Sequence, residues 1–451
     1  MKDGGTGDEL FVVGDPADPA REVAAGMIAE SGQGTTTPTA TSVPRTFASL
    51  RHRDFALFWA AAIISNSGGT MQAVTVPFVI YQITGSAVWL GISTAVTFVP
   101  TVLVGPIAGA VADRYPRRQV LLITQTVQMA AAFALWILWV SGHATVGSIL
   151  GIVLLSAVAG GINIASWQAF VPSLVPRRDL MNAVRLNSIQ FTLARAVGPA
   201  LAGLVLGRFG AGTSFMVNAV TYLLVIAALV RIPARPNAGA TSRRESVVHE
   251  FVDGLRYMRR RPALIQCVVN TMVLAAASFA LVQLAPAIAR RQLHVGKSSY
   301  GYLVASEGLA SILSSFWLAN RGDRLRRSRT AMTGLGFAVI GSLVLGGATS
   351  FWTGAVAFFA IGLGHTLATI PHNTAIQMQV SDSYRGRVLA VYLMSVQLGV
   401  PLGSVILGTA ADATGTRSLA LGSAAFLLAY FVFALTRFRG LRALDADEDV
   451  I

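Results

Sequence analysis

Gly105-Pro-Ile-Ala-Gly109-Ala-Val-Ala-Asp113-Arg114-Tyr-Pro-Arg117-Arg118 is an apolar stretch with glycines four residues apart, stopped by an acid and three arginines. Small residues at that spacing share one face of a helix and thin it for close packing against a neighbour. A helix crossing hydrocarbon cannot hold charges at its centre, so Asp113, Arg114, Arg117 and Arg118 belong in a headgroup layer. The arginine excess marks that layer as cytoplasmic. The stretch therefore reads as the cytoplasmic end of one membrane helix, a turn at Tyr115-Pro116, and the start of the next.

The whole composition agrees. Of 451 residues, 53% are hydrophobic and 12% charged, and the mean hydropathy is +0.60. An ordinary soluble domain carries about twice that share of charge. The net charge of +14 does not make a nucleic-acid binder, because the arginines sit in short segments between hydrophobic runs of spanning length. The single cysteine, Cys267, excludes an intramolecular disulfide and a cysteine-based metal cluster; no metal site and no cofactor is expected. Arginine is used almost to the exclusion of lysine, with abundant Ala and Gly, as in a GC-rich bacterial genome.

Twelve hydrophobic windows follow one another, at 55–83, 87–112, 119–141, 145–171, 183–207, 213–231, 263–289, 298–320, 329–349, 351–379, 386–411 and 415–437. Each can cross a hydrocarbon core about 30 Å thick. The connections alternate between basic and neutral, which places both termini in the cytoplasm. Arg290, Arg291 and Lys297 dissent: they stand on the outer side, with anion or headgroup contact the role left for them.

The longest internal connection divides the chain into similar halves. Asp113-Arg114 before Arg117-Arg118 corresponds to Asp323-Arg324 before Arg326-Arg327, and Ala183-Val-Arg-Leu-Asn-Ser-Ile-Gln190 to Ala390-Val-Tyr-Leu-Met-Ser-Val-Gln397. That is how an internal duplication reads in a transporter. The expected organisation is a disordered acidic tail (1–45), an N-terminal six-helix bundle (46–231), a cytoplasmic linker (232–262), a C-terminal six-helix bundle (263–437) and a cytoplasmic tail (438–451). The tail at 1–45 has no basic segment followed by an apolar one, so the first span is expected to act as the insertion signal.

Among the acids of the body, one is deep. Glu307 lies nine residues after Ser298, about 14 Å down a helix, near the bilayer midplane. Desolvation there penalises the charged carboxylate, which makes Glu307 a protonatable switch. Arg195 lies ten residues beyond Arg185 in span 5, about halfway across, and is the cation at that depth.

The stretch 105–118 and its echo, Gly198-Pro199 with Gly203 in span 5, Pro172-Ser-Leu-Val-Pro176, Asn187-Ser188 and Tyr384-Arg-Gly-Arg387 together resemble the major facilitator superfamily. The branch is the one that includes enterobactin exporters and macrolide efflux proteins, and the resemblance covers residues 46–437. It implies an all-α integral membrane protein, with twelve transmembrane helices in two pseudo-symmetric six-helix bundles. It implies a cytoplasmic gate at Gly105, Gly109, Asp113, Arg114, Arg117, Arg118, Asp323, Arg324 and Arg327, in which Asp113 acts as a latch on the outward-facing state. Gly198, Pro199 and Gly203 resemble the signature of members that export by antiport; proline frees a carbonyl and glycines allow close contact, giving a bend or pivot.

In that fold spans 5 and 8 face each other between the halves, so an Arg195–Glu307 ion pair is expected to bridge them, either as a proton-coupled switch or as a static clamp. The cavity helices, spans 1, 4, 7 and 10, carry Asn66, Gln72, Asn163, Gln168, Asn270, Gln283, His365 and Asn373, which either bind substrate or join helices. Span 4, at Leu154-Leu-Ser-Ala-Val-Ala-Gly160-Gly161, lacks the arginine of familiar drug–proton antiporters, a role open to Arg195.

Other chemistries fail on the residues. Val295-Gly-Lys297-Ser298 imitates the end of a phosphate-binding loop, but position 291 is Arg where the first glycine is required. No His-Glu-x-x-His or nucleophile elbow occurs, so the chain is not expected to be an enzyme. The expected function is a monomeric secondary exporter in the bacterial cytoplasmic membrane, exchanging protons for a small amphipathic molecule such as a drug, siderophore or secondary metabolite. An importer or facilitator of a native metabolite, or a non-transporting receptor, are the alternatives.

Overall fold

The computed structural model describes residues 45–233, 247–321, 325–436 and Asp445. The tails expected over 1–45 and 438–451 fall outside the described residues except Arg45 and Asp445, as do Asp323 and Arg324 of the second gate segment. No strand occurs among the described residues, and twelve long helical spans do.

Spans 1 to 6 are Arg53–Thr84, Ala87–Arg114, Arg117–Val140, Val146–Phe170, Leu180–Arg208 and Gly210–Arg231. After a short helix at Val247–Arg259 come span 7, Pro262–Arg291 with internal breaks, then spans 8 to 12 at Lys297–Arg321, Arg327–Gly347, Phe351–Gln379, Asp382–Thr414 and Thr416–Thr436. Eleven spans are apolar enough to cross a membrane by length and hydropathy. The twelfth, span 1, is diluted by Ser65-Asn-Ser-Gly-Gly-Thr70, small and polar residues that pack against spans 5 and 6.

Ends follow local chemistry. Gly85, at φ 65°, takes the left-handed conformation that closes span 1 and donates its N–H back to the Tyr81 carbonyl. Spans 4 and 10 open with reciprocal capping boxes, Thr145 with Ser148 and Ser350 with Thr353. The same device at the same place in each half extends the internal repeat from sequence to structure.

Packing obeys that repeat. Spans 1–5, 2–4, 3–4 and 3–6 pack in the first bundle, and their counterparts 7–11, 8–10, 9–10 and 9–12 pack in the second. The bundles meet through spans 2–11 and 5–8, a pairing that exchanges onto itself when each span is advanced by six. Such interfaces lack a hydrophobic driving force in lipid and depend on small residues and polar bonds. Thr75 bonds Ser214 at 2.6 Å, and Asn163 donates to Thr124 at 2.8 Å.

Span 7 departs from the single uninterrupted helix expected over 263–289. Pro262–Val273 is α-helical, Leu274–Phe279 widens into a π-helix, and the chain breaks again at Leu284 before Ala285–Arg291. Gly399 and Gly403 of span 11 press on Met272, Ala275 and Ala276, and Ser423 of span 12 bonds the Ala277 carbonyl. Pro286 has no backbone N–H to donate to the Val282 carbonyl, and the second break falls two residues before it, at Leu284.

Candidate functional site

One end of the bundle, the basic end, carries the basic connections, and the opposite, neutral end carries the others. Span 2 shows how the bundles meet along this axis. Gly91 and Gly105 are fourteen residues apart, close to four turns, and so face the same way. A Cβ at Gly91 would lie 2.6 Å from the Ser404 carbonyl oxygen and 2.7 Å from the Val405 Cα in span 11, whereas a Cβ at Gly105 would meet nothing within 4 Å. Spans 2 and 11 touch at the neutral end and diverge toward the basic end.

Spans 5 and 8 close the same half. Gly203 and Gly301 cross with their backbones in contact, Gly207 lies against Ser298, and Gly308 sits on Ala196 and the Arg195 carbonyl. Pro199 cannot donate to that carbonyl, and Gly308 leaves the room beside it open for backbone approach. Within the first bundle Gly198 admits the Thr70 hydroxyl, which donates to the Ala194 carbonyl at 2.7 Å. The Gly198-Pro199…Gly203 segment is thus the place where span 5 meets span 1 on one side and span 8 on the other.

The neutral end is sealed by a charge cluster that sequence reading missed. The Asp412 carboxylate, at the end of span 11, accepts from Ser86 Oγ at 2.5 Å, from the Ala87 N–H at 3.0 Å and from the Val88 N–H at 3.1 Å. Those N–H groups are orphan donors of the first turn of span 2, so an acid of one bundle caps a helix of the other. Arg291 Nη1 donates to Asp412 at 2.7 Å, and its other terminal nitrogen donates to the Gly85 carbonyl. Tyr300 Oη donates to the Val74 carbonyl at 2.9 Å beneath. This accounts for Arg291; Arg290 and Lys297 line a separate recess of about 350 Å³ with Phe78, Tyr81 and Tyr300.

Toward the basic end, a cavity of about 600 Å³ opens in the first bundle. Its wall includes Asn66, Asn163 and Gln168, three of the residues expected to line it, with Gln128, Trp167, Asn187, Ser188 and Phe191. The wall is held by bonds: Trp167 Nε1 donates to Asn187 Oδ1 at 3.0 Å, Gln190 Nε2 to the same oxygen at 3.2 Å, and Asn66 Nδ2 to Gln190 Oε1 at 3.1 Å. Ser188, Phe191 and Arg195 follow at i, i+3 and i+7, so the exposed Arg195 stands on the same face, deeper by one turn.

Glu307 of span 8 and His365 of span 10 complete this inner level, close enough for the Arg195 charge to act on both. Arg195 and Glu307 do not form a direct ion pair here; Glu307 accepts instead from Ser311 Oγ at 3.2 Å, and Thr366 Oγ1 donates to Ser311 at 3.0 Å. Gly362 of span 10 lies against the Glu307 carbonyl, where a Cβ would be 2.5 Å away. His365 stacks on Phe279 at 4.9 Å, with Nδ1 buried and unpartnered.

The remaining residues are placed elsewhere. Gln72 accepts from Asn218 of span 6 at 2.8 Å. Asn270 is buried against His372 and bonds Tyr430, joining spans 7, 10 and 12. Both join helices because a buried amide is satisfied by its nearest span. Gln283 is half-buried in span 7, and Asn373 accepts from Gln377 one turn along span 10.

At the basic end, Arg117 donates to the Ala169 carbonyl at 3.0 Å, and Arg118 to the Leu229 and Val230 carbonyls at 2.6 and 3.0 Å. They cap the C-termini of spans 4 and 6, where cations offset the helix dipole. Arg327 contacts Met378 Sδ, Gly109 and Asp113 are half-buried, and Arg114 is exposed.

Spans repeated by six, a sealed neutral end and a polar level between the ends define a twelve-helix transporter of the major facilitator fold. A model of the transmembrane secretion effector family, MFS_3, matches residues 44–450, and the chain belongs to that family. It is 26% identical over 399 residues to the multidrug efflux pump Tap of Mycobacterium tuberculosis (strain ATCC 25618 / H37Rv), covering 85% of this chain and 93% of that one. It is 24% identical over 404 residues to the enterobactin exporter EntS of Shigella boydii serotype 18 (strain CDC 3083-94 / BS512), covering 86% and 94%. The crystal structure of a point mutant of the peptide transporter POT superposes with a TM-score of 0.70 at 15% identity, over 87% of this chain and 96% of that one, a likeness of fold.

Proposed function

We propose that the protein is a proton-coupled exporter of a small amphipathic molecule, acting as a monomer in the bacterial cytoplasmic membrane with its basic end in the cytoplasm. The observation that carries the reading is Arg195, exposed one turn beyond the cavity wall of Ser188 and Phe191 on the same face of span 5, with its charge acting on Glu307 and His365 of the other bundle. The similarity to a multidrug pump and an enterobactin exporter supports export of a drug-like or siderophore-like substrate.

The chemistry follows from competition. With Glu307 ionised, its carboxylate is free to accept from a hydroxyl or amine of a substrate entering from the cytoplasm, while Arg195 holds an acceptor group and Trp167 and Phe191 take its apolar body. When the substrate has left on the other side, an external proton takes its place on Glu307, returns with the empty cavity, and leaves to the cytoplasm because the Arg195 charge favours the carboxylate. Proton and substrate thereby exclude each other, and alternating access couples their opposite fluxes. The two gates of the fold, and not its midplane residues, carry the conformational change.

Everted membrane vesicles test this with the Glu307→Gln protein. The expected result is a loss of at least about tenfold in proton-driven dye accumulation, with substrate exchange at zero gradient preserved. Unaltered accumulation with the same pH dependence would remove Glu307 from the mechanism. Uptake of a metabolite into right-side-out cells, with no export of a broad compound panel, would favour an importer.

A further inference from the structure

The short helix Val247–Arg259, between the bundles in sequence, has two faces. Phe251, Gly254 and Met258 turn inward; Met258 is buried, and a Cβ at Gly254 would lie 2.9 Å from the Arg387 carbonyl at the start of span 11. Val252, Leu255, Arg256 and Arg259 turn outward, the two aliphatic side chains exposed beside the two cations. An outward face both apolar and cationic, at the end of a hydrophobic slab, suits a helix lying in the headgroup layer.

Beside this face is a recess of about 350 Å³ lined by Asp253, Arg256, Tyr257, Arg260, Arg261 and Tyr384. Tyr257 and Tyr384 stack at 4.6 Å, with Arg261 over the first ring at 4.7 Å and Arg387 over the second at 5.4 Å. Arg387 and Arg256 each reach Asp253 at 3.4 Å, and Arg261 is fixed by its bond to the Gln379 carbonyl at 2.7 Å. Three guanidinium groups thus face the recess against one carboxylate, and Tyr257 Oη is buried there with no hydrogen-bond partner.

We propose that this recess holds the phosphodiester of one anionic phospholipid, with Arg256 and Arg260 as the phosphate ligands and Val252 and Leu255 against its acyl chains. Such a site requires only that the helices span a bilayer, whatever the substrate and the direction of transport. Guanidinium is the cation suited to forked hydrogen bonding of phosphate, and the stacked tyrosines hold the third arginine in place. Because the helix packs on span 11 and leads into span 7, a bound lipid anchors the second bundle to its leaflet.

Native mass spectrometry of the full chain in detergent tests the site, using phosphatidylglycerol, phosphatidylcholine with the same acyl chains, and inorganic phosphate as separate additions. One phosphatidylglycerol should be retained at least about tenfold more tightly than phosphatidylcholine. At about fivefold per interfacial arginine, R256Q/R260Q should weaken it about twenty-five-fold, while R256K/R260K stays within about threefold. Equal retention of phosphatidylcholine, or an unchanged R256Q/R260Q, overturns the proposal. Binding of inorganic phosphate that displaces the lipid makes this a free-anion site and overturns it too. If the double variant aggregates, R260Q alone, at an exposed position, should still lose about fivefold.

Discussion

Asp412 shows how much one carboxylate can do when it lies across two bundles. It satisfies two backbone donors and a hydroxyl at the start of span 2 while Arg291 neutralises its charge. A trans cap of this kind contributes about 1 to 2 kcal/mol, enough to shift a two-state equilibrium by about tenfold. Asp412→Asn keeps the size but loses the charge, leaving Arg291 without its carboxylate, so the neutral end should open more often. The chain's single cysteine is buried, and a Cys267→Ala background would therefore allow a probe at Ala202, which is fully buried beside the Gly203–Gly301 crossing. Labelling of Ala202→Cys by a membrane-impermeant thiol reagent should quicken about tenfold in the Asp412→Asn protein. No change in rate would mean that the glycine crossing alone closes the gate.

At the scale of elements, the glycines of span 2 make opposite predictions. Gly91→Leu drives a side chain into the backbone of span 11, which cannot give way, so the neutral end cannot close. Gly105→Leu meets open space in the present state and is harmless to it, but obstructs the approach of span 11 when the basic end shuts. Both proteins should fold and insert, and both should lose transport by more than about tenfold. They should differ in which end admits a thiol reagent: the neutral end for Gly91→Leu, the basic end for Gly105→Leu. A Gly105→Leu protein with normal transport would show that this face never packs. The spans were readable in the sequence because charge and turn residues punctuate long apolar runs, and most observed ends fall within three residues of the expected ones. The faces were not. With apolar residues all round each helix, nothing in the pattern separates Asn163, on the cavity wall, from Gln72, whose partner Asn218 is 146 residues away. The widening of span 7 was hidden for the same reason, since it depends on Gly399 and Gly403 arriving from span 11. Arg195 and Glu307 stood out because a charge far from either end of a span is conspicuous without knowledge of its neighbours, but their pairing was not legible, since it depends on how two helices from different bundles approach.

Across the whole molecule, spans 2 and 11 run antiparallel, so the C-terminal acid of each lies level with the N-terminus of the other. Asp412 ends span 11 and caps span 2 at the neutral end; Asp113 ends span 2 at the basic end, level with the start of span 11 at residue 382. Rocking about the deeper contact of Gly308 with Ala196 and the Arg195 carbonyl can close one end only as it opens the other. An acid at each end would then stabilise opposite states, Asp412 the one seen here and Asp113 the one with the basic end shut. Each single change, Asp113→Asn or Asp412→Asn, should move the populations by about tenfold in opposite directions, and the double variant should return near the starting ratio. Spin labels on exposed Leu103 of span 2 and Leu393 of span 11 would report the basic-end separation by pulsed electron resonance. Shifts in the same direction, or a double variant that follows one single, would mean that the two acids do not oppose each other and that the second bundle's own gate segment holds the basic end.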